Sequence, residues 1–126
     1  MKAAVVREFG KPLIIEDVVL GAPEAGEVQV KVAACAICHS DIHYAEGAWG
    51  GAPPLILGHE ASGVVEEIGL GVAGVKVGDS VIVSLIRHCG QCFHCSRGEP
   101  TQCETQFPLD VPGRIRDTAG SPIKQG

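Results

Sequence analysis

The sequence predicts a mainly β fold with short helices, and three observations point there. Seventeen Gly and eight Pro in 126 residues interrupt the chain too often for long helices. Aromatic residues are scarce, and turn-forming residues recur at short intervals. The run Glu27-Val28-Gln29-Val30-Lys31-Val32 alternates polar and apolar at a period of two, as a half-buried strand should. The length suffices for one domain with a sizeable core. Hydrophobic residues at 45% and charged residues at 20% are ordinary for a soluble globular protein. A net charge of −5 without a run of like charge argues against nucleic acid and anionic membranes as partners. No apolar stretch has membrane-spanning length. The start, Met1 to Arg7, is too short and too charged for a signal peptide, so a cytoplasmic location is expected.

Taken in order, Lys2–Arg7 and Leu13–Leu20 are predicted strands joined through Gly10-Lys11-Pro12. The turn Gly21–Gly26 leads into the alternating strand, which runs through Ala33-Ala34 into Cys35 and Cys38. Ser40–Glu46 is predicted as a short helix and Gly47–Pro54 as a Gly- and Pro-rich loop carrying Trp49. Leu55–Leu57 and Ala61–Ile68 are predicted strands, interrupted at Gly58. Gly69-Leu70-Gly71-Val72-Ala73-Gly74 is a literal G-x-G-x-x-G, but a β-rich run, Val75–Val83, follows it instead of a helix whose N-terminus could meet a pyrophosphate. It is therefore read as a hairpin turn. Arg87–Cys103 is Cys-rich and strand-poor. The tail from Glu104 has little periodicity and no completed strand or capped helix, so the chain is expected to be cut short.

Two groups of residues carry chemistry. Cys38-His39-Ser40-Asp41-Ile42-His43 is followed about twenty residues later by Gly58-His59-Glu60. Cys and His are preferred zinc donors, and a nearby carboxylate can orient a ligand imidazole. The alternative is a polar helix start followed by an unrelated turn. The second group is Cys89-x2-Cys92-x2-Cys95-x7-Cys103. Four thiolates complete a tetrahedral zinc shell with no open position, so this site is expected to be structural. Gly90, Gly98 and Pro100 supply the tight bends. An iron–sulfur cluster, or thiols free or joined in disulfides, are the alternatives. His88 and His94 are read as lobe surface. Close Cys spacing without a secretion signal favours metal chemistry over a disulfide framework.

Together these motifs resemble the N-terminal, GroES-like catalytic domain of the zinc-dependent medium-chain alcohol dehydrogenases. The resemblance rests on Cys38–His43, Gly58-His59-Glu60-Ala61-Ser62-Gly63, Val75–Val83 around Gly78-Asp79, and the four-Cys lobe, in that order. It implies a mostly antiparallel, irregular β-barrel with an embedded zinc lobe at about residues 87–105. It implies that Cys38 and His59 are ligands of a catalytic zinc, with Glu60 beside the metal as an aid to ligand exchange. Asp41 would orient the His59 ring, Ser40 would take the alcohol proton, and His43 would be the outer end of the relay. His39 would touch the cofactor pyrophosphate. Trp49 and Leu85 would line the substrate pocket. The implied reaction interconverts alcohols with aldehydes or ketones by hydride exchange with NAD or NADP, and a homo-oligomer is the expectation for the full-length form.

Other readings stand beside these. Cys35 could form a redox pair with Cys38, although a packed core Cys is favoured because it ends the alternating strand. Trp49 could plug its loop, His39 could be solvated, and Asp41 could be a helix N-terminal charge. The family's third catalytic-zinc ligand and its Rossmann cofactor domain have no counterpart in these 126 residues. The chain by itself is therefore expected to lack dehydrogenase activity and to expose apolar surface. A stand-alone zinc-binding module without catalysis is the alternative.

Overall fold

The computed structural model describes residues 1–86, 88–104 and 114–125. It is mainly β, in two parts. A closed five-stranded barrel runs in the order β1 (Lys2–Val6), β2 (Ile14–Leu20), β7 (Ile115–Asp117), β8 (Pro122–Gln125), β4 (Leu55–Ile56). A three-stranded antiparallel sheet, β3 (Val28–Ala36), β5 (Glu60–Ile68) and β6 (Ser80–Val83), stands beside it. All barrel pairings are antiparallel except β4 with β8, which closes the barrel in parallel. No helix among the described residues is long and apolar enough to cross a membrane.

The barrel core is small and β-branched: Val5, Val18, Ile115 and Ile123 pack together, with Ala3 and Ile56 against them. The four buried residues come from four of the five strands, two of them in the last segment, so the barrel cannot close without it. That segment corrects the sequence reading, which expected no completed strand after Glu104. Strands of three and four residues are too short to show periodicity, and their inward residues, Ile115 and Ile123, pair with each other across the β7–β8 hairpin while Ile115 also pairs with the distant Leu20.

The alternating strand also behaves differently from expectation. β3 pairs along its whole length with β5, yet from Lys31 onward its residues are exposed. Period-two alternation yields alternate burial only where one face is covered. Among the described residues neither face is fully covered: Val64 and Ile82 are exposed on one side, Val32 and Val83 on the other. Cys35 is exposed too, which corrects the expectation of a packed core cysteine. The G-x-G-x-x-G stretch does lie in the connection of the antiparallel β5–β6 pair, as the hairpin reading requires.

Candidate metal centres

The first candidate site sits where the sheet meets α1 (His39–Glu46). β3 ends at Ala36, and Cys38 is the extended residue that caps α1. On the neighbouring strand Glu60 pairs with Ala36, so His59 and Glu60 emerge at the same edge. Gly58, with φ +113°, makes the turn between β4 and β5 in a conformation that favours glycine. A Cβ there would lie 2.9 Å from Cys35 Sγ. The sequence reads Gly58 both as a strand interruption and as the start of the Gly58-His59-Glu60 group, and the fold gives it a backbone role in both.

The result is that donor atoms of Cys38, His59 and Glu60 all lie within 4.8 Å of one another. Asp41 stands behind them. One of its oxygens accepts the Cys38 backbone N–H at 2.9 Å, and the other faces His59 Nδ1 at 3.3 Å. One side chain thus touches both the start of the helix and the His59 ring. With Nδ1 turned to Asp41, His59 Nε2 is left to face the Glu60 side, 3.9 Å from its carboxylate.

Electrostatics within the group favour a cation. The Ser40 hydroxyl and its backbone N–H, with lesser help from His59, hold the Cys38 thiol below its ordinary value against burial and the Glu60 charge. Burial would lower the His59 pKa, but Cys38, Asp41 and Glu60 together outweigh it and raise the net value. A thiol disposed to ionise beside an imidazole and two carboxylates is a donor set suited to a borderline-soft divalent ion. Ser40 Oγ is sealed from solvent and makes no hydrogen bond of good geometry.

The other residues expected at this site are spread around α1. His39 is exposed. His43 packs against His39 and Trp49, at ring separations of 4.7 and 5.3 Å. Tyr44, which sequence reasoning passed over, meets Trp49 edge-on at 5.2 Å. Trp49 remains 56% exposed, and Leu85, after β6, is 50% exposed. Neither lines the cavity of about 520 Å³ on the other side of α1, which Ala4, Leu13, Cys35, Ile37, Ile42 and Leu57 help to wall.

The second candidate site is the four-Cys lobe. The ligand atoms of Cys89, Cys92, Cys95 and Cys103 lie within 4.8 Å of one another. The bends come from Gly90 and Gly98, both with positive φ, the short helix α2 (Phe93–Ser96) and a 3-10 turn over Pro100–Gln102. Backbone N–H groups are aimed at the sulfurs, Cys89 N–H at Cys103 Sγ and Cys92 N–H at Cys89 Sγ, both at 3.3 Å. Cys92 Sγ and Cys103 Sγ are 4.0 Å apart, about twice an S–S bond. Backbone N–H groups of Cys95 and Glu104 lower the Cys92 thiol, whereas burial, then Cys92, push Cys95 up to about 11. Four sulfurs so close cannot all ionise on their own; a divalent cation among them would let them. His94 pairs with Glu99 at 3.1 Å, and His88 is exposed, so both lie on the lobe surface as expected.

Known proteins are similar to this chain in sequence and fold. Residues 24–122 match the alcohol dehydrogenase GroES-like domain. An alcohol dehydrogenase of Geobacillus stearothermophilus is 50% identical over 109 residues, covering 84% of this chain and 32% of that protein. Among solved structures, an alcohol dehydrogenase zinc-binding domain protein from Burkholderia ambifaria superposes with a TM-score of 0.86 at 36% identity, over 98% of this chain and 35% of that one. An NAD-dependent alcohol dehydrogenase superposes with a TM-score of 0.70 at 35% identity, over 86% of this chain and 33% of that one. The chain thus spans about a third of the length of the relatives it matches. With the barrel, the Cys38–His59 edge and the cysteine lobe all in place, and most of its length matched, the chain belongs to the alcohol dehydrogenase GroES-like domain family.

Proposed function

We propose that this chain is the metal-holding part of a zinc-dependent oxidoreductase that interconverts alcohols with aldehydes or ketones, NAD or NADP exchanging the hydride. The observation that carries the reading is the convergence of Cys38, His59 and Glu60, with Asp41 behind the imidazole. Zinc held there supplies Lewis acidity, which lowers the pKa of a hydroxyl brought to it. Cys38 and His59 would hold the ion, and Glu60 would assist ligand exchange. Asp41 fixes the His59 ring, so that Nε2 is the nitrogen presented. Ser40, one helical turn before His43, would take the alcohol proton, and His43 would release it towards solvent. His39, on the exposed side of the helix start, would meet the cofactor pyrophosphate. Trp49 and Leu85 are the candidates for the substrate side.

The lobe would hold a second zinc with all four positions filled by Cys89, Cys92, Cys95 and Cys103, a structural role. The chain spans about a third of its relatives' length, and the cofactor site and the remaining ligand of the first zinc would belong to the rest of the parent protein. The 126 residues alone would bind one zinc tightly, in the lobe, and would turn over no alcohol.

Elemental analysis of the purified chain tests the metal half of this reading. One zinc per chain is expected, retained in Cys38→Ser and lost in Cys89→Ser; iron in place of zinc would overturn it. Alcohol oxidation by the intact parent tests the other half. His59→Ala should abolish turnover while the lobe zinc stays. A parent that holds zinc but oxidises no alcohol with either nicotinamide cofactor would leave only a zinc-binding module.

A further inference from the structure

The Trp49 indole is set against helix α1, not against the cavity or the metal donors, and this placement follows from the chain's turn. Gly47 caps α1 in the left-handed region at φ 80°, and its N–H donates to the Tyr44 carbonyl at 3.1 Å. Ala48 N–H returns to the His43 carbonyl at 2.9 Å. Such a cap reverses the chain over the helix's last turn. A side chain at Gly47 would also strike the Phe9 ring, 2.8 Å from the added Cβ. The reversal brings Trp49 back over the two residues whose carbonyls are capped. Its ring lies 5.3 Å from His43, tilted by 33°, and 5.2 Å from Tyr44, edge-on at 80°. The His39 ring also meets the His43 ring, edge-on at 4.7 Å and 77°.

We propose that Trp49 is a positioning residue for His43, its indole and the His39 ring together gripping the imidazole. His43 sits in the final turn of an eight-residue helix, where fraying would otherwise let its ring sample several rotamers. The two ring contacts bias it towards one of them. Tyr44 in turn holds the indole by its edge. The proposal rests on the relay reading for its consequence in catalysis, but the grip itself is a property of this chain.

Two experiments test it separately. In the zinc-loaded 126-residue chain, the His43 ring protons should be displaced upfield by the indole ring current. Trp49→Ala should abolish that displacement and Trp49→Phe should keep part of it, while α1 amide signals report that both variants fold. Trp49 is the only tryptophan, so its emission should shift in His43→Gln. His43 protons that stay in place in Trp49→Ala would overturn the proposal. In the intact parent, Trp49→Ala should lower kcat with KM unchanged, added buffer base should restore part of the rate, and Trp49→Phe should keep more of kcat than Trp49→Ala. A raised KM with unchanged kcat would make Trp49 a pocket wall and overturn the positioning role. An inactive parent in which the ring displacement is still found would refute the dehydrogenase reading and leave the grip standing.

Discussion

Replacing Asp117 should separate the two contributions that this carboxylate makes to closing the barrel. Asp117 ends β7, and its side chain is only 14% exposed. One oxygen accepts the N–H groups of Ala119 and Ser121 at 3.0 and 2.8 Å, shaping the turn into β8. The other faces Arg7 at 3.3 Å, and Arg7 is itself forked onto Glu16 at 2.8 and 2.7 Å. Asn keeps an acceptor for the turn but loses the charge. The ion pair is partly solvated, so Asp117→Asn should cost about 0.5–1 kcal/mol. Ala loses both turn bonds as well, each worth roughly 1 kcal/mol, for a total of about 2–3 kcal/mol. With a urea slope of order 2 kcal/mol per molar, Asp117→Ala should lower the unfolding midpoint by about 1 M, and Asp117→Asn by less than half of that. The Ser121 N–H, then Arg7 and the Ala119 N–H, lower the Asp117 pKa below its ordinary 3.8, outweighing burial. A lowered folded-state pKa means that the contribution is fully present above pH 3.8 and is lost as pH falls through the folded value. The gap between wild type and Asp117→Asn should therefore stay constant from neutral pH down to about 4 and shrink below it. Equal midpoints for Asn and Ala, or a gap that widens in acid, would refute the assignment. The hairpin matters to the candidate site because β8 pairs with β4, which ends two residues before Gly58.

Three further outcomes follow from the same geometry. Cys103→Ser should remove the lobe zinc and unfold the lobe, because apparent zinc affinities of about 10–16 kcal/mol in small Cys-rich sites stand in for a core; elemental analysis and proteolysis of the 89–103 segment report it. Gly47→Ala should destabilise the chain by about 1 kcal/mol for the left-handed backbone alone, and by more for the Phe9 contact, read as a lower thermal midpoint. Asp41→Asn should weaken metal binding at Cys38 and His59 in the intact parent roughly 10–100-fold, with the lobe zinc unchanged, as measured by competition with a chelator.

Much of this protein is legible in its sequence because its chemistry is local. The lobe needs four thiols within fifteen residues, and Cys38 and Asp41 meet across a single helical turn. Short spacing leaves few geometries open, so donor type and order suffice to name the sites and, through the resemblance, the family. The strands up to Ile68 follow from runs of branched residues between Gly and Pro.

What tertiary structure decided is everything that depends on distant pairing. Strands β7 and β8 carry too few residues to announce themselves, and Arg7 and Asp117 meet across 110 positions. Cys35 follows the pattern of a buried strand residue but is exposed, because burial depends on what covers a face and not on the period of the strand. Whether Asp41 caps the helix or orients His59 could not be separated along the chain; folding brought β5 beside β3 and let one carboxylate touch both the helix start and the His59 ring. Trp49 lies beside His43 because a left-handed glycine reverses the chain over the helix. Spacing along the chain determines which donors can meet; only the fold decides which faces are covered and where an exposed aromatic ring comes to rest.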